Sequence, residues 1–332
     1  MSRHLFPLLT LALSPAPLLA AGFELGSVAS SPDIAIGIWY PSSSSPPDEP
    51  NTPFGQAVAI DGAPEGADLP LVLLSHGNGG WMGGHADTAM ALAEAGYIAV
   101  ALTHPGDNGE DESASPSEWL VSRPADIAKT LDYMLTGWSN ADRIDPARIG
   151  VFGFSAGAYT ALVSAGGLPD FSLAAQHCVD MPAEFTCRIG MLDDIDPVEL
   201  GSQLPSVSGD SRITAISIAA PGLGYGFSKA SLADLTVPVQ IWSGTRDERV
   251  PHDTNAANIA ANLPRPPEMN IVEDAGHFAF MAECNPALEE VNPEIWKMVC
   301  VDADGFDRSD FHRSYNDRIV SFFDAAMPAP DQ

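Results

Sequence analysis

The chain has 332 residues, enough to bury one large α/β core. With 45% hydrophobic and 18% charged residues it has the composition of an ordinary globular protein, which excludes a disordered or collagen-like chain. The formal net charge of −29 repels nucleic acid and anionic membranes, so neither is expected as a partner held by charge, and the acidity speaks to solubility rather than to chemistry.

Residues 1–21 read as an export signal. Arg3 and His4 start it, residues 5–19 are mostly apolar, and Ala20 and Ala21 precede Gly22-Phe23-Glu24. The apolar run is short and broken by Pro7, Pro15 and Pro17, so no stable membrane anchor is expected. The expectation is an exported protein, periplasmic or secreted, with one domain over residues 22–332.

Residues 34–40 alternate enough for an early strand. Residues 41–69, rich in Pro, Ser, Asp and Gly, read as a loop. Leu71-Val72-Leu73-Leu74 is a continuous apolar run ended by Ser75-His76-Gly77, which suits a strand buried on both faces of a parallel sheet. A helix over 87–95, a strand over 97–102, an acidic loop over 106–113 and a helix over 125–135 follow. Residues 148–154 form a strand that runs straight into a helix start at 155–162. Residues 167–210 break the rhythm and read as an insertion. Strands resume at 213–219, 239–242 and 269–272, a second insertion lies near 278–308, and a helix over 315–325 closes the chain. This alternation predicts an α/β fold: a doubly wound, mostly parallel sheet with helices on both faces. Reactive groups of such sheets gather at the carboxyl ends of the strands.

The four cysteines, Cys178, Cys187, Cys284 and Cys300, allow three pairings. Proximity in sequence favours Cys178–Cys187 and Cys284–Cys300. No C-x-x-C occurs, so a zinc or thioredoxin-type site is not expected.

Gly153-Phe154-Ser155-Ala156-Gly157 matches G-x-S-x-G in the context that gives the motif meaning, between an apolar strand and a helix. Ser155 is the candidate nucleophile. A serine hydroxyl needs a base, and the chain order of this arrangement is serine, acid, histidine. Of His177, His252, His277 and His312, His277 lies just past the last strand, where a loop returns over the serine. The acid is expected after the preceding strand. Asp247 fits, with Glu248 and Asp253 as competitors. The oxyanion hole is expected from the backbone N–H of Ala156 and, in the loop Ser75-His76-Gly77-Asn78-Gly79-Gly80, that of Asn78. His104 and Asp107 face the same side; residues so placed more often brace a loop than touch substrate. Trp81, Met82, Phe278, Phe280 and Met281 line an acyl pocket or are ordinary core.

Leu74-Ser75-His76-Gly77, the G-x-S-x-G segment, Gly244-Thr245-Arg246-Asp247 and Ala275-Gly276-His277-Phe278 together resemble the bacterial predicted dienelactone hydrolases. That group of the α/β-hydrolase superfamily is similar to platelet-activating-factor acetylhydrolases and, more distantly, to cutinase-like polyester hydrolases. The resemblance covers residues 30–325; Thr103-His104-Pro105-Gly106-Asp107-Asn108 and the Cys284…Cys300 pair also resemble the group. It implies the α/β-hydrolase fold, a Ser-His-Asp triad and hydrolysis of short-chain acyl esters or lactones, with a small-molecule ester as partner. True dienelactone hydrolases use a cysteine nucleophile where this chain has Ser155, so the family name is a poor guide to substrate. No phosphate loop, cofactor fingerprint or metal-ligand cluster is apparent, and no cofactor or metal is expected. The competing readings are a peptidase or amidase on the same triad, and a catalytically silent binding protein of the same fold.

Overall fold

A computed structural model of the protein describes residues 20–329. One sheet contains nine strands: β1 (Ala20–Val28), β2 (Ile34–Ser42), β3 (Ala59–Ile60), β4 (Leu69–Ser75), β5 (Ile98–Thr103), β6 (Ile144–Phe154), β7 (Ile213–Ala219), β8 (Val239–Gly244) and β9 (Glu268–Val272). The helices are α1 (Ala86–Glu94), α2 (Pro116–Thr136), α3 (Ala156–Ser164), α4 (Phe171–Asp180), α5 (Phe185–Arg188), α6 (Pro197–Gln203), α7 (Ala256–Asn262), α8 (Ala287–Val291), α9 (Pro293–Ile295) and α10 (Arg308–Ala326).

The strand order is β3-β1-β2-β5-β4-β6-β7-β8-β9. β2 runs antiparallel to β1 and β5, and every pair from β5 to β9 is parallel. The chain steps from β4 outward to β5, then returns to the other side of β4 as β6. The order therefore reverses between β4 and β6, and a crevice opens beyond their carboxyl ends.

The apolar runs divide by the two-residue period of a strand. Leu71 and Leu73 of β4 and Ile98, Val100 and Leu102 of β5 join one core with α2 and α3. Val72, Leu74, Ala99 and Ala101 point the other way and join a second core with α1 and α10. Both faces are dry, which is why these strands carry no polar alternation.

Two elements depart from the sequence reading, and a third lies mostly outside the described residues. The signal expected over residues 1–21 lies outside the described residues except for Ala20 and Ala21, which begin β1 and pair with Ser42 and Pro41. The expected loop 41–69 contains the short strand β3. The helix expected over 125–135 begins at Pro116, because Glu118 accepts the Ser115 N–H at 2.7 Å and proline at the first helical position loses no hydrogen bond. Pro124 then lies inside the helix, where its missing N–H leaves the Leu120 carbonyl without its helical donor. The buried Tyr159 hydroxyl of α3 donates to that carbonyl at 3.0 Å.

The insertion at 167–210 folds as α4, α5 and α6, with Cys178 bonded to Cys187; the second insertion carries α8 and α9, with Cys284 bonded to Cys300. Among the described residues no helix is long and apolar enough to cross a membrane.

Tyr159→Phe removes the donor that replaces Pro124's N–H and leaves a buried carbonyl unpaired. It is expected to lower unfolding free energy by about 1–3 kcal/mol in urea melts; an unchanged midpoint would show that Leu120 finds another partner.

Candidate active site

Ser155 sits between β6 and α3 at φ 55° and ψ −115°, a conformation non-glycine residues rarely adopt. Two hydrogen bonds hold it there: its N–H donates to the Ala219 carbonyl at 2.9 Å, and its carbonyl accepts the Gly222 N–H at 3.1 Å. Both partners come from the end of β7. The sharp turn needs glycine on each side. A Cβ on Gly153 would fall 2.1 Å from the Gly157 carbonyl oxygen, and a Cβ on Gly157 would fall 2.0 Å from that of Ser75.

The structure brings Ser155, His277 and Asp247 into one hydrogen-bonded chain. Ser155 Oγ lies 3.1 Å from His277 Nε2, and His277 Nδ1 lies 2.8 Å from Asp247 Oδ2. The other oxygen of Asp247 accepts the backbone N–H groups of Arg249 and Val250, each at 2.9 Å. These bonds fix the carboxylate, which in turn requires the proton on His277 Nδ1 and leaves Nε2 to accept from serine. Glu248 and Asp253 are exposed. Arg246 does not compete for Asp247, because it pairs with Asp274 at 2.6 Å.

The other three candidate histidines are occupied elsewhere. His177 pairs with Glu184, and His252 Nδ1 lies 3.1 Å from Ser243 Oγ. His312 does meet a carboxylate, Asp87, but its second nitrogen is used by the Ala279 carbonyl at 2.8 Å.

The N–H groups of Asn78 and Ala156 belong to residues lining the same cleft as Ser155 and His277. Neither N–H meets an acceptor among the described residues. Ala156 stands in the first turn of α3, where N–H groups have no helical acceptor and the helix dipole favours negative charge.

The Asn78 loop is held from beneath by Asp107 and His104, which the sequence reading names as loop braces, and by Arg123, which it does not. Arg123 of α2 is fully buried. Its Nε donates to Asp107 Oδ2 at 2.7 Å, Nη1 to the His76 carbonyl at 2.7 Å and Nη2 to the Gly77 carbonyl at 3.0 Å. Asp107 Oδ1 accepts the Asn78 side-chain amide at 2.6 Å and the Gly79 N–H at 2.9 Å. His76 Nε2 accepts the His104 N–H at 3.0 Å, so Nδ1 carries the proton and donates to the Gly77 carbonyl at 2.6 Å. Burial, then the charges of Arg123 and His104, hold His76 well below the ordinary histidine range. His104 is depressed likewise, by burial and then by Arg123.

His104 also forms a second chain of the same residue types: Ser75 Oγ at 2.9 Å from Nε2 and Asp126 Oδ2 at 3.2 Å from Nδ1. Ser75 and His104 are both 0% exposed, so no substrate reaches them, and this chain braces the loop. His104 and Asp107 are thus structural supports.

The cleft is further lined by Trp119, Phe154, Phe185, Met191, Leu223 and Phe278. Of the five flanking residues singled out in sequence, only Phe278 is among the lining. Phe280 is core, Met82 and Met281 pack against core, and Trp81 is 42% exposed beside Phe54. No group of metal-ligating side chains occurs among the described residues.

No family model matches the chain, and no curated protein matches it. Among solved structures it is similar to a ferulic acid esterase from Streptomyces cinnamoneus, with a TM-score of 0.63, 18% identity and 96% of each chain covered. With the strand order and the strand-to-helix turn at Ser155, this likeness gives the chain an α/β-hydrolase fold.

Arg123→Met leaves Asp107 buried without its counter-charge and frees the His76 and Gly77 carbonyls. An expected loss of about 3–5 kcal/mol in stability follows, read by denaturant unfolding; a stable variant would mean that the pair does not hold the loop. Asp126 offers a pH test. Burial pushes its carboxyl up to about 6, against the pull of Lys129 and Arg123. Its protonated form therefore favours the folded state, a contribution complete below the unfolded-chain value and lost as pH rises through about 6. The wild-type stability profile is expected to fall, relative to that of Asp126→Asn, by on the order of 2–3 kcal/mol between pH 4 and pH 7. Parallel profiles would contradict this.

Proposed function

We propose that the chain is a serine carboxylic-ester hydrolase acting on short-chain acyl esters or lactones. The observation that carries this reading is the unbroken hydrogen-bonded chain Ser155–His277–Asp247, presented on a strained turn to a cleft that Asn78 and Ala156 also line.

In the proposed reaction, Ser155 Oγ attacks the ester carbonyl while His277 Nε2 takes its proton. The carbonyl oxygen gathers negative charge and accepts from the Asn78 and Ala156 N–H groups. His277, now an imidazolium held by Asp247, gives the proton to the leaving alcohol oxygen as the C–O bond breaks. Water then enters, gives a proton to His277 and attacks the acyl-enzyme. The collapse releases the acid and returns the proton to Ser155. Every proton moves between protein groups, substrate and water.

The cleft encloses about 80 Å³, less than the usual range for drug-sized ligands, which supports a small acyl group. Support for ester chemistry also comes from the resemblance to dienelactone and platelet-activating-factor acetylhydrolases, and from the fold shared with a ferulic acid esterase. The two disulfides and the apolar N-terminus support an exported protein, periplasmic or secreted.

Hydrolysis of nitrophenyl esters of rising acyl length tests the reading. Rates are expected to peak at acetyl to butyryl, a phosphonate probe is expected to label Ser155, and Ser155→Ala is expected to lose about 10⁴-fold or more in kcat. An active alanine variant would sink the assignment of Ser155. Faster turnover of peptide amides than of esters would make the protein an amidase, and no turnover with no phosphonate labelling would make it a silent relative.

A further inference from the structure

Of the residues lining the Ser155 cleft, Arg249 alone carries a permanent charge. The chain holds 15 Lys and Arg against 44 Asp and Glu; of the fourteen Lys and Arg among the described residues, six lie without a carboxylate pair and eight make one. Arg212, Arg246, Arg308 and Arg318 all do so within 2.9 Å. Arg249 forms no such pair among the described residues. Asp247, two residues away, attracts it, but both Asp247 oxygens are already used, by His277 and by the N–H groups of Arg249 and Val250.

The guanidinium lies within cation–π distance of two rings. Its carbon lies 4.3 Å from the Phe185 ring centre and 4.8 Å from that of Phe278. Phe185 belongs to the disulfide-tied insertion, and Phe278 follows His277. Both rings lie at cation–π distance, and the N–H groups of a guanidinium are the part that binds carboxylate in a two-point fork. One edge hydrogen bond goes to Met298 Sδ at 3.2 Å, a weak acceptor. A second cation shares the same ring: the Arg188 guanidinium lies 5.8 Å from the Phe185 centre, also without a carboxylate partner among the described residues. Burial first, and with it the like charge of Arg188, lowers the pKa of Arg249 against the pull of Asp247. The like charge of Arg188 acting on Arg249, with neither paired to a carboxylate among the described residues, costs free energy that a bound anion would offset.

We propose that Arg249, assisted by Arg188, is a specificity-determining residue of the cleft and selects esters that carry a free carboxylate, such as half-esters of dicarboxylic acids or acyl derivatives of hydroxy acids. The inference rests on the ester-hydrolase reading and narrows its substrate class. The net charge of −29 repels such anions at long range, so recognition depends on cations placed at the site itself, where partial burial limits screening.

The test compares kcat/KM on two matched pairs: monoethyl adipate against ethyl hexanoate, with the carboxylate on the acyl side, and carboxymethyl butyrate against propyl butyrate, with it on the alcohol side. In at least one pair the charged ester is expected to be preferred tenfold or more, and the responding pair locates the carboxylate. Arg249→Met is expected to lower that preference at least tenfold, Arg249→Lys to keep part of it, and Arg188→Met to lower it less than Arg249→Met does. If Arg249→Met does not fold, Arg249→Gln makes the same comparison. A wild-type ratio at or below one in both pairs, or a ratio unchanged by loss of the Arg249 charge, overturns the proposal; a contact that only joins the insertion to the His277 loop would alter stability and leave the ratio alone. Absence of turnover on all four esters strikes the ester-hydrolase reading instead. Calorimetric titration of Ser155→Ala with monoethyl adipate then decides anion binding by itself: binding lost in Ser155→Ala/Arg249→Met supports it, and no Arg249-dependent binding overturns it.

Discussion

Gly157 sits so close to the end of β4 that a Cβ there would meet the Ser75 carbonyl oxygen at 2.0 Å and the His76 carbonyl oxygen at 2.8 Å. No side chain rotation relieves a clash with backbone. The contact draws the first turn of α3 against the strand whose following loop carries Asn78. Ser155, the Ala156 N–H and the Asn78 N–H therefore share one cleft, although they come from two strands and two loops. The reversal of strand order between β4 and β6 puts these two carboxyl ends side by side. The Gly157 contact holds the two ends close, beside the strained backbone of Ser155.

The site is electrostatically divided. Above the sheet, the only carboxylate in the hydrogen-bonded chain is Asp247, and backbone donors hold it while His277 takes its free oxygen. Below, a single buried guanidinium, Arg123, grips the loop through two carbonyls and Asp107. Burying this pair is costly and adds little net stability by itself. Its use is geometric. The Gly77 carbonyl that Arg123 holds belongs to the same peptide unit as the Asn78 N–H. In a planar trans peptide the two point in opposite directions, so fixing one aims the other.

Much of this was legible in the sequence because the physics is local or periodic. Continuous apolar runs at residues 71–74 and 97–102 mark strands buried on both faces, and the G-x-S-x-G turn follows one of them. His277 was singled out by its place after the last strand, and Asp247 by its place after the one before. What escaped depends on contacts distant in the chain. Pro124 argues against a helix start at Pro116 until Tyr159 supplies the missing donor. Arg123 looks like any surface arginine beside a proline, since nothing nearby in sequence tells that Asp107 and two carbonyls await it. β1 begins at Ala20 and Ala21, small residues that suit the end of a signal as well as a strand, and its partner β2 is set by pairing that the sequence pattern does not display. The aromatic and methionine residues near the motifs gave no clue to which would line the cleft, because their roles turn on side-chain direction: Phe278 faces it and Phe280, two residues on, is core.

The hydrogen-bonded chain and the wall of the cleft come from different parts of this molecule. The hydrogen-bonded chain hangs from strand ends that the sheet fixes. The wall facing it comes from elsewhere. Phe185, Thr186 and Met191 belong to the 167–210 insertion, which Cys178–Cys187 ties and which docks on the sheet side through the buried Glu184, bonded to Thr254 Oγ1 and the Asn255 side chain. Met298, which touches Arg249, belongs to the segment tied by Cys284–Cys300. Both insertions therefore meet at one guanidinium, which stands two residues from Asp247. The Arg249 N–H also holds Asp247, so the contact that joins the two insertions is tied to the hydrogen-bonded chain as well as to the wall.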